Sequence, residues 1–167
     1  MPWTVFVISL SLSIIAEVVA GNYGWLAPCV PILAFYFTMR FGAQRTLLGA
    51  AMAAAMVDAC WMHHFPSQIL TVLLVTGLSS AWKPYGDVNS GLSLVVSGIC
   101  IGIVSWGIHL LGLMTSVSLS LNFVYIVKLL IIQIVISIII TPVFALLLNR
   151  MLRRSVTWLS IIDEGND

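Results

Sequence analysis

The sequence predicts an all-α polytopic membrane protein, a compact bundle of six transmembrane helices. Hydrophobic residues make up 60% of the 167 residues and charged residues only 8%, a balance far from that of soluble domains. The apolar residues fall into six segments, each near the length of about 20 residues that one helical crossing of a bilayer needs. Basic residues lie in every second connection between the segments. The lipid bilayer is therefore the first partner that the composition implies.

The six predicted spans follow one another through short connections. They cover residues 3–20, 23–39, 47–62, 68–82, 90–114 and 123–149. By length alone the third and fourth spans could be re-entrant, but the alternation of basic connections requires both to cross. We expect residues 1–154 to form one transmembrane domain. Residues 155–167 are expected to be a cytoplasmic tail, partly lying on the membrane interface, because apolar and polar residues alternate before an acidic end.

Small residues and proline distinguish three of these spans. The third span, which includes Gly49 and Ala53, presents small residues on nearly every side, so we expect neighbouring helices to enclose it. The fifth span carries Gly98 and Gly102 at the four-residue interval that permits close helix packing. The sixth is almost entirely Ile, Leu and Val around Pro142, which predicts a lipid-facing helix with one kink.

The distribution of basic residues predicts the orientation. Six of the seven lie after spans two, four and six, namely Arg40, Arg45, Lys83, Arg150, Arg153 and Arg154. Connections 21–22, 63–67 and 115–122 contain no Lys or Arg. By the positive-inside rule, both termini are then cytoplasmic. A net charge of +1, with the bases dispersed and no aromatic residues interleaved, predicts no nucleic-acid partner.

Ionisable side chains on four predicted spans share one depth near the external face. They are Glu17, Asp58, His109 and Lys128. Because an ionisable group inside a span costs a few kcal/mol unless it is paired or hydrated, we expect these four to share an outward-facing polar pocket. Other interpretations stay open for three of them: Lys128 can snorkel instead of pairing with Asp58 or Glu17, Glu17 can be hydrated at the interface, and His109 can be a satisfied core histidine.

The connection after the third span supplies candidate partner-binding residues: His63, His64, Phe65 and Ser67. Cys60 with the two histidines forms a Cys-x-x-His-His run, but zinc needs further ligands and no second cluster supplies them. Ser67 lies near the histidines, yet no nucleophile-elbow motif surrounds it. The sequence therefore predicts no metal site, no cofactor and no catalytic residues.

Two stretches carry a resemblance to a known family. The first is Ala-Pro-Cys-Val-Pro-Ile-Leu-Ala-Phe-Tyr-Phe-Thr-Met-Arg-Phe-Gly from residue 27, followed by Leu-Leu-Gly-Ala and a small-residue helix ending in Val-Asp at residue 58. The second is the closing helix, residues 133–154, with Thr-Pro-Val-Phe and the exit Leu-Leu-Leu-Asn-Arg-Met-Leu-Arg-Arg. With these stretches the chain resembles the rod shape-determining MreD family.

The resemblance implies a non-enzymatic integral subunit of the machinery for bacterial cell elongation and peptidoglycan synthesis, in the cytoplasmic (inner) membrane. Its implied partner is an MreC-like scaffold with one span and a periplasmic domain, with RodA and its transpeptidase, and MreB, as further partners. Gly49, Asp58 and Pro142 match family-like positions, where structural roles are implied. The run of residues 63–66, His-His-Phe-Pro, departs from the family's usual Gly-containing turn.

A different class of membrane protein is the alternative. The predicted bundle also resembles the substrate-binding subunits of energy-coupling factor transporters, which are six-helix proteins of this size with an outward-facing site for a small molecule. Their coupling surface uses Ala-x-x-x-Ala patterns on the first helix. The first span here has only Ala16 and Ala20 at that interval, and they lie at the opposite end.

Overall fold

A computed structural model of the protein describes residues 3–23, 25, 27–61, 65–87, 90–116 and 123–164, and this part of the chain is helical with no strand. The helices are α1 (Trp3–Asn22), α2 (Cys29–Phe41), α3 (Ala43–Cys60), α4 (Ser67–Trp82), α5 (Gly91–Ser116) and α6 (Phe123–Glu164). The prediction of an all-α protein with six helices is confirmed.

Among the described residues, three helices are long and apolar enough to cross a membrane. Mean hydropathy is 2.1 for Trp3–Asn22, 2.1 for Gly91–Met114 and 2.7 for Ile126–Arg153. Helices α2 and α4 are apolar but shorter, with 13 and 16 residues. At a rise of about 1.5 Å per residue, they are roughly 20 and 24 Å long. These lengths and compositions are compatible with a membrane protein.

Helix α2 lies at the centre of the bundle. Every residue from Cys29 to Met39 is buried, and α2 contacts each of the other five helices. Its Phe37 packs edge-to-face on Phe6 of α1, with 4.8 Å between ring centroids. A helix that is apolar on all sides suits this position, because neighbours contact it from every direction.

Helix α3 is not the enclosed helix that its small residues led us to expect. It buries Ala50, Ala53 and Ala54 on one face and exposes Leu48, Met52 and Met56 on another. The exposed residues recur every fourth position, so they form one outward stripe. Gly49 lies against α1, where a Cβ atom would come within 2.6 Å of Phe6 Cε1. Some of the small residues thus pack against neighbouring helices, whereas Ala55 and Ala59 are exposed.

Helices α5 and α6 form an antiparallel pair with close backbone contact. A Cβ atom at Gly98 would lie 2.9 Å from the carbonyl oxygen of Ser137, and one at Gly102 would lie 3.0 Å from the Cα atom of Ile134. Both neighbours are backbone atoms, so a side chain at either glycine would force the helices apart. The predicted glycine interval therefore lies in the contact between α5 and α6.

Helix α6 differs from the predicted lipid-facing span in two respects. It buries a stripe of polar residues at four-residue intervals, Gln133, Ser137 and Thr141, and exposes Ile131 and Ile139. Only part of its circumference can therefore face lipid. The helix also contains Pro142 and continues to Glu164, beyond the predicted end at residue 149. Residues 155–164 extend α6 instead of starting a separate segment.

Two helix starts also differ from the predicted boundaries. Helix α2 begins at Cys29 and not at residue 23, because the chain takes a non-helical course through Pro28, where ψ is 61°. Helix α3 begins at Ala43 and not at residue 47, because the single residue Gly42 connects it to α2. Gly42 has φ of +94°, a conformation that suits glycine because it has no Cβ atom.

Candidate functional site

A carboxylate from α1 caps the start of α2. Glu17 is fully buried, and its Oε2 atom accepts a hydrogen bond of 2.8 Å from the backbone N–H of Val30. Pro28, which precedes the helix, makes no side-chain cap. The first N–H groups of a helix have no partner within it, and its N-terminus carries a partial positive charge. The Glu17 side chain accepts a hydrogen bond from one of these N–H groups, and a negative charge near this helix end would be stabilised by its partial positive charge.

Asp58 of α3 does the same for α4, and more completely. Its Oδ1 atom accepts hydrogen bonds from Ser67 Oγ at 3.2 Å and from the backbone N–H of Gln68 at 3.1 Å. Its Oδ2 atom accepts from the N–H groups of Gln68 and Ile69, at 3.1 and 3.2 Å. Pro66 stands before this helix, as Pro28 stands before α2. Both short helices therefore begin after a proline and are capped by the preceding helix.

The two capped ends adjoin one polar cavity. Its volume is about 20 Å³, and its wall is formed by α1, α4, α5 and α6, by Ala27 and Pro28 just before α2, and by Trp61 just after α3. The polar side chains lining it are Glu17, Trp61, Ser67, Gln68, Thr71, Ser105, His109 and Gln133. A cavity of this volume has room for one water-sized particle. The site is therefore small, polar and built from several helices.

Three buried oxygen atoms at this cavity have no hydrogen-bond partner among the described residues. They are Glu17 Oε1, Gln68 Oε1 and Ser105 Oγ. A buried polar atom without a hydrogen bond costs about 1–3 kcal/mol, so three around one space indicate a site for a polar species.

The structure brings three of the four predicted pocket residues to one region. Glu17 and His109 line the cavity, and Asp58 lies behind Ser67 and Gln68, which line it. Lys128 is exposed on α6 and is not one of the described residues that line the cavity. Asp58 caps the start of α4.

The candidate partner-binding residues after the third span do not all lie on an accessible surface, as the prediction requires. Ser67 is only 4% exposed and donates to Asp58, so it belongs to the buried site and not to a surface available to a partner. Phe65 packs near Gly112 of α5, where a Cβ atom would lie 3.1 Å from Phe65 Cδ1. His63 and His64 lie outside the described residues.

Sequence reasoning missed several members of the site, although a signal existed for one. Ser105 and His109 are four residues apart on α5, so they share a helix face and could have been paired. Gln68 and Gln133 carry no charge and had no comparable signal. Within the described ranges, no three His, Cys, Asp or Glu side chains come together as a metal cluster would require.

Comparisons of the chain with protein-family models, curated proteins and solved structures gave no match. What the site can do follows from its own geometry. It fixes the starts of α2 and α4, and three residues that line its small cavity each have a buried oxygen atom with no hydrogen-bond partner among the described residues.

Proposed function

We propose that the protein is a non-enzymatic integral membrane subunit of the bacterial cell-elongation machinery, acting in rod shape and peptidoglycan synthesis. It binds an MreC-like scaffold that has one span and a periplasmic domain, and it lies in the inner membrane near RodA, its transpeptidase and MreB. Support comes from the apolar helices and from the two stretches that resemble the MreD family.

All six helices cross the bilayer in this proposal, including the short ones. A hydrocarbon core of about 30 Å exceeds the length of α2 and α4, so their starts would lie below the membrane surface. Unsatisfied N–H groups at that depth cost several kcal/mol each. The caps supplied by Glu17 and Asp58 remove part of this cost, which favours short spans with buried starts.

The orientation follows from the two ends of α2. The polar cavity adjoins its start at Cys29, whereas Arg40 lies near its end and donates a 2.9 Å hydrogen bond to Asn149 of α6. Eleven residues of helix separate these positions by about 17 Å. By the positive-inside rule the arginine end is cytoplasmic, and the cavity then lies towards the external face.

The size of the cavity is the observation that favours a scaffold over a transporter subunit. Sites for small organic molecules occupy about 300–1,000 Å³. The polar cavity has about 20 Å³, and an apolar groove between α4 and α5 has about 80 Å³. Neither of these two cavities in the described part of the chain is large enough for a vitamin-sized substrate. This supports a protein that presents surfaces to partner helices.

Depletion in a rod-shaped host and crosslinking together test the proposal. We expect depleted cells to round or swell. A photo-crosslinking amino acid at Phe65 should capture a single-span protein with a periplasmic domain, whereas the same probe at exposed Tyr85, in the α4–α5 connection, should not. Cells that keep their shape but lose uptake of a vitamin or metal would instead support the transporter alternative.

A further inference from the structure

Three residues that line the polar cavity each have a buried oxygen atom without a hydrogen-bond partner among the described residues. The atoms are Glu17 Oε1 on α1, Gln68 Oε1 on α4 and Ser105 Oγ on α5. Ser97, two turns earlier on α5, instead donates a 2.7 Å hydrogen bond to the carbonyl oxygen of Ser93 in its own helix. The Ser105 hydroxyl makes no such bond, so it is available to a ligand in the cavity.

The cavity wall offers both hydrogen-bond acceptors and hydrogen-bond donors. The carboxyl oxygen of Glu17 and the amide oxygen of Gln68 are acceptors, and the hydroxyl of Ser105 can donate or accept. Trp61 adds a buried indole N–H group, which can only donate. A metal cation binds oxygen acceptors and is repelled by an N–H donor. A water molecule donates two hydrogen bonds and also accepts them, so it matches the mixed wall.

The volume of the cavity agrees with this occupant. A buried water needs a cavity of at least about 10–15 Å³ and two to four polar partners, and this cavity has about 20 Å³. We propose that it holds one ordered water molecule, which donates to Glu17 Oε1 and Gln68 Oε1 and accepts from Ser105 Oγ. The water joins α1, α4 and α5 beside the capped starts of α2 and α4. This inference is independent of the proposed role in cell elongation, because it concerns only the residues of the cavity.

Two measurements on the full-length wild-type protein test the site directly. A high-resolution crystal structure grown in lipid should show one density peak at about 2.5–3.0 Å from each of the three oxygen atoms, the range of O–H···O hydrogen bonds. The thermal unfolding midpoint in detergent should stay the same when sodium chloride replaces choline chloride at constant ionic strength. A bound sodium ion would instead raise the midpoint, because a ligand that binds only the folded state stabilises it.

Paired substitutions test whether Gln68 and Ser105 share one ligand. Gln68→Leu and Ser105→Ala each remove one partner of the water, and each should lower the thermal unfolding midpoint by about 2–4 °C. The double variant should lower it by clearly less than the sum, because groups that bind the same molecule are coupled. Ser105 Oγ makes no direct hydrogen bond to Gln68, so coupling indicates a shared ligand. Ser97→Ala is the matched control: Ser97 is buried on α5 but lines the apolar groove, so its effect should add to that of Gln68→Leu.

Three outcomes would overturn the proposal. One is a high-resolution structure of the wild-type protein without density in the cavity. Another is a midpoint that rises with sodium, which would assign the cavity to a cation. The last is a double variant of Gln68→Leu and Ser105→Ala whose midpoint falls by the sum of the two single shifts. The first two use the wild-type protein, so they decide the question even if a variant does not fold.

Discussion

The two capping carboxylates use their oxygen atoms differently. Both oxygen atoms of Asp58 accept hydrogen bonds from the start of α4, so the residue is committed to holding that helix end. Glu17 gives one oxygen to α2, and its other oxygen has no hydrogen-bond partner among the described residues. Asp58 therefore uses both of its oxygen atoms in the cap, whereas Glu17 uses one.

Two substitutions of Asp58, one to leucine and one to asparagine, test how much its hydrogen bonds to α4 contribute to the free energy of unfolding. Asp58→Leu leaves two partly buried N–H groups and the Ser67 hydroxyl without their acceptor, and we expect a loss of about 2–4 kcal/mol in the free energy of unfolding. Asp58→Asn retains one acceptor oxygen and should lose about 1 kcal/mol. Unfolding in detergent by titration with sodium dodecyl sulfate measures both.

Exposed Asp87 provides the matched control for these substitutions. Leucine or asparagine at this position should change the free energy of unfolding by less than about 1 kcal/mol, because interactions of exposed charges are weak. Equal stability of Asp58→Leu and the wild-type protein would mean that Asp58 does not cap α4.

At the scale of elements, the sequence predicted that a helix packs closely better than it predicted which neighbour the helix contacts. The four-residue interval of Gly98 and Gly102 correctly indicates close packing, but only the structure identifies α6 as the partner. The central place of α2 had no distinct signal, because lipid-facing and enclosed helices of a membrane protein are equally apolar. The small residues of α3 indicated packing without revealing that Ala50, Ala53 and Ala54 are buried while Ala55 and Ala59 are exposed.

The α5–α6 contact can be tested by adding a methyl group to a glycine. Gly98→Ala would bring Cβ to 2.9 Å from the Ser137 carbonyl oxygen, and we expect the overpacking to cost about 1–3 kcal/mol in the free energy of unfolding. Gly107→Ala on the same helix meets no atom within 4 Å and should stabilise by up to about 1 kcal/mol. Equal stabilisation by both changes would contradict the close contact.

At the scale of the whole molecule, depth along the bundle was easier to predict than direction around each helix. Glu17, Asp58 and His109 were assigned to one level from span order alone, and they do lie in one region. Lys128 shared the predicted depth, but it is five residues from cavity-lining Gln133, which turns it by about 140° around α6. Periodic apolar sequence does not specify that rotation, because α6 is apolar on most sides.

The proposed six-span topology predicts which connections reach each side of the membrane. In a background with the three native cysteines replaced, single cysteines at positions 65 and 118 should react with an impermeant thiol reagent added outside cells. A cysteine replacing exposed Tyr85 should react only after permeabilisation, because its connection carries Lys83 and lies on the arginine side of the bundle. If position 85 reacts from outside, α4 does not cross as proposed, and the caps supplied by Glu17 and Asp58 would then stabilise re-entrant helices.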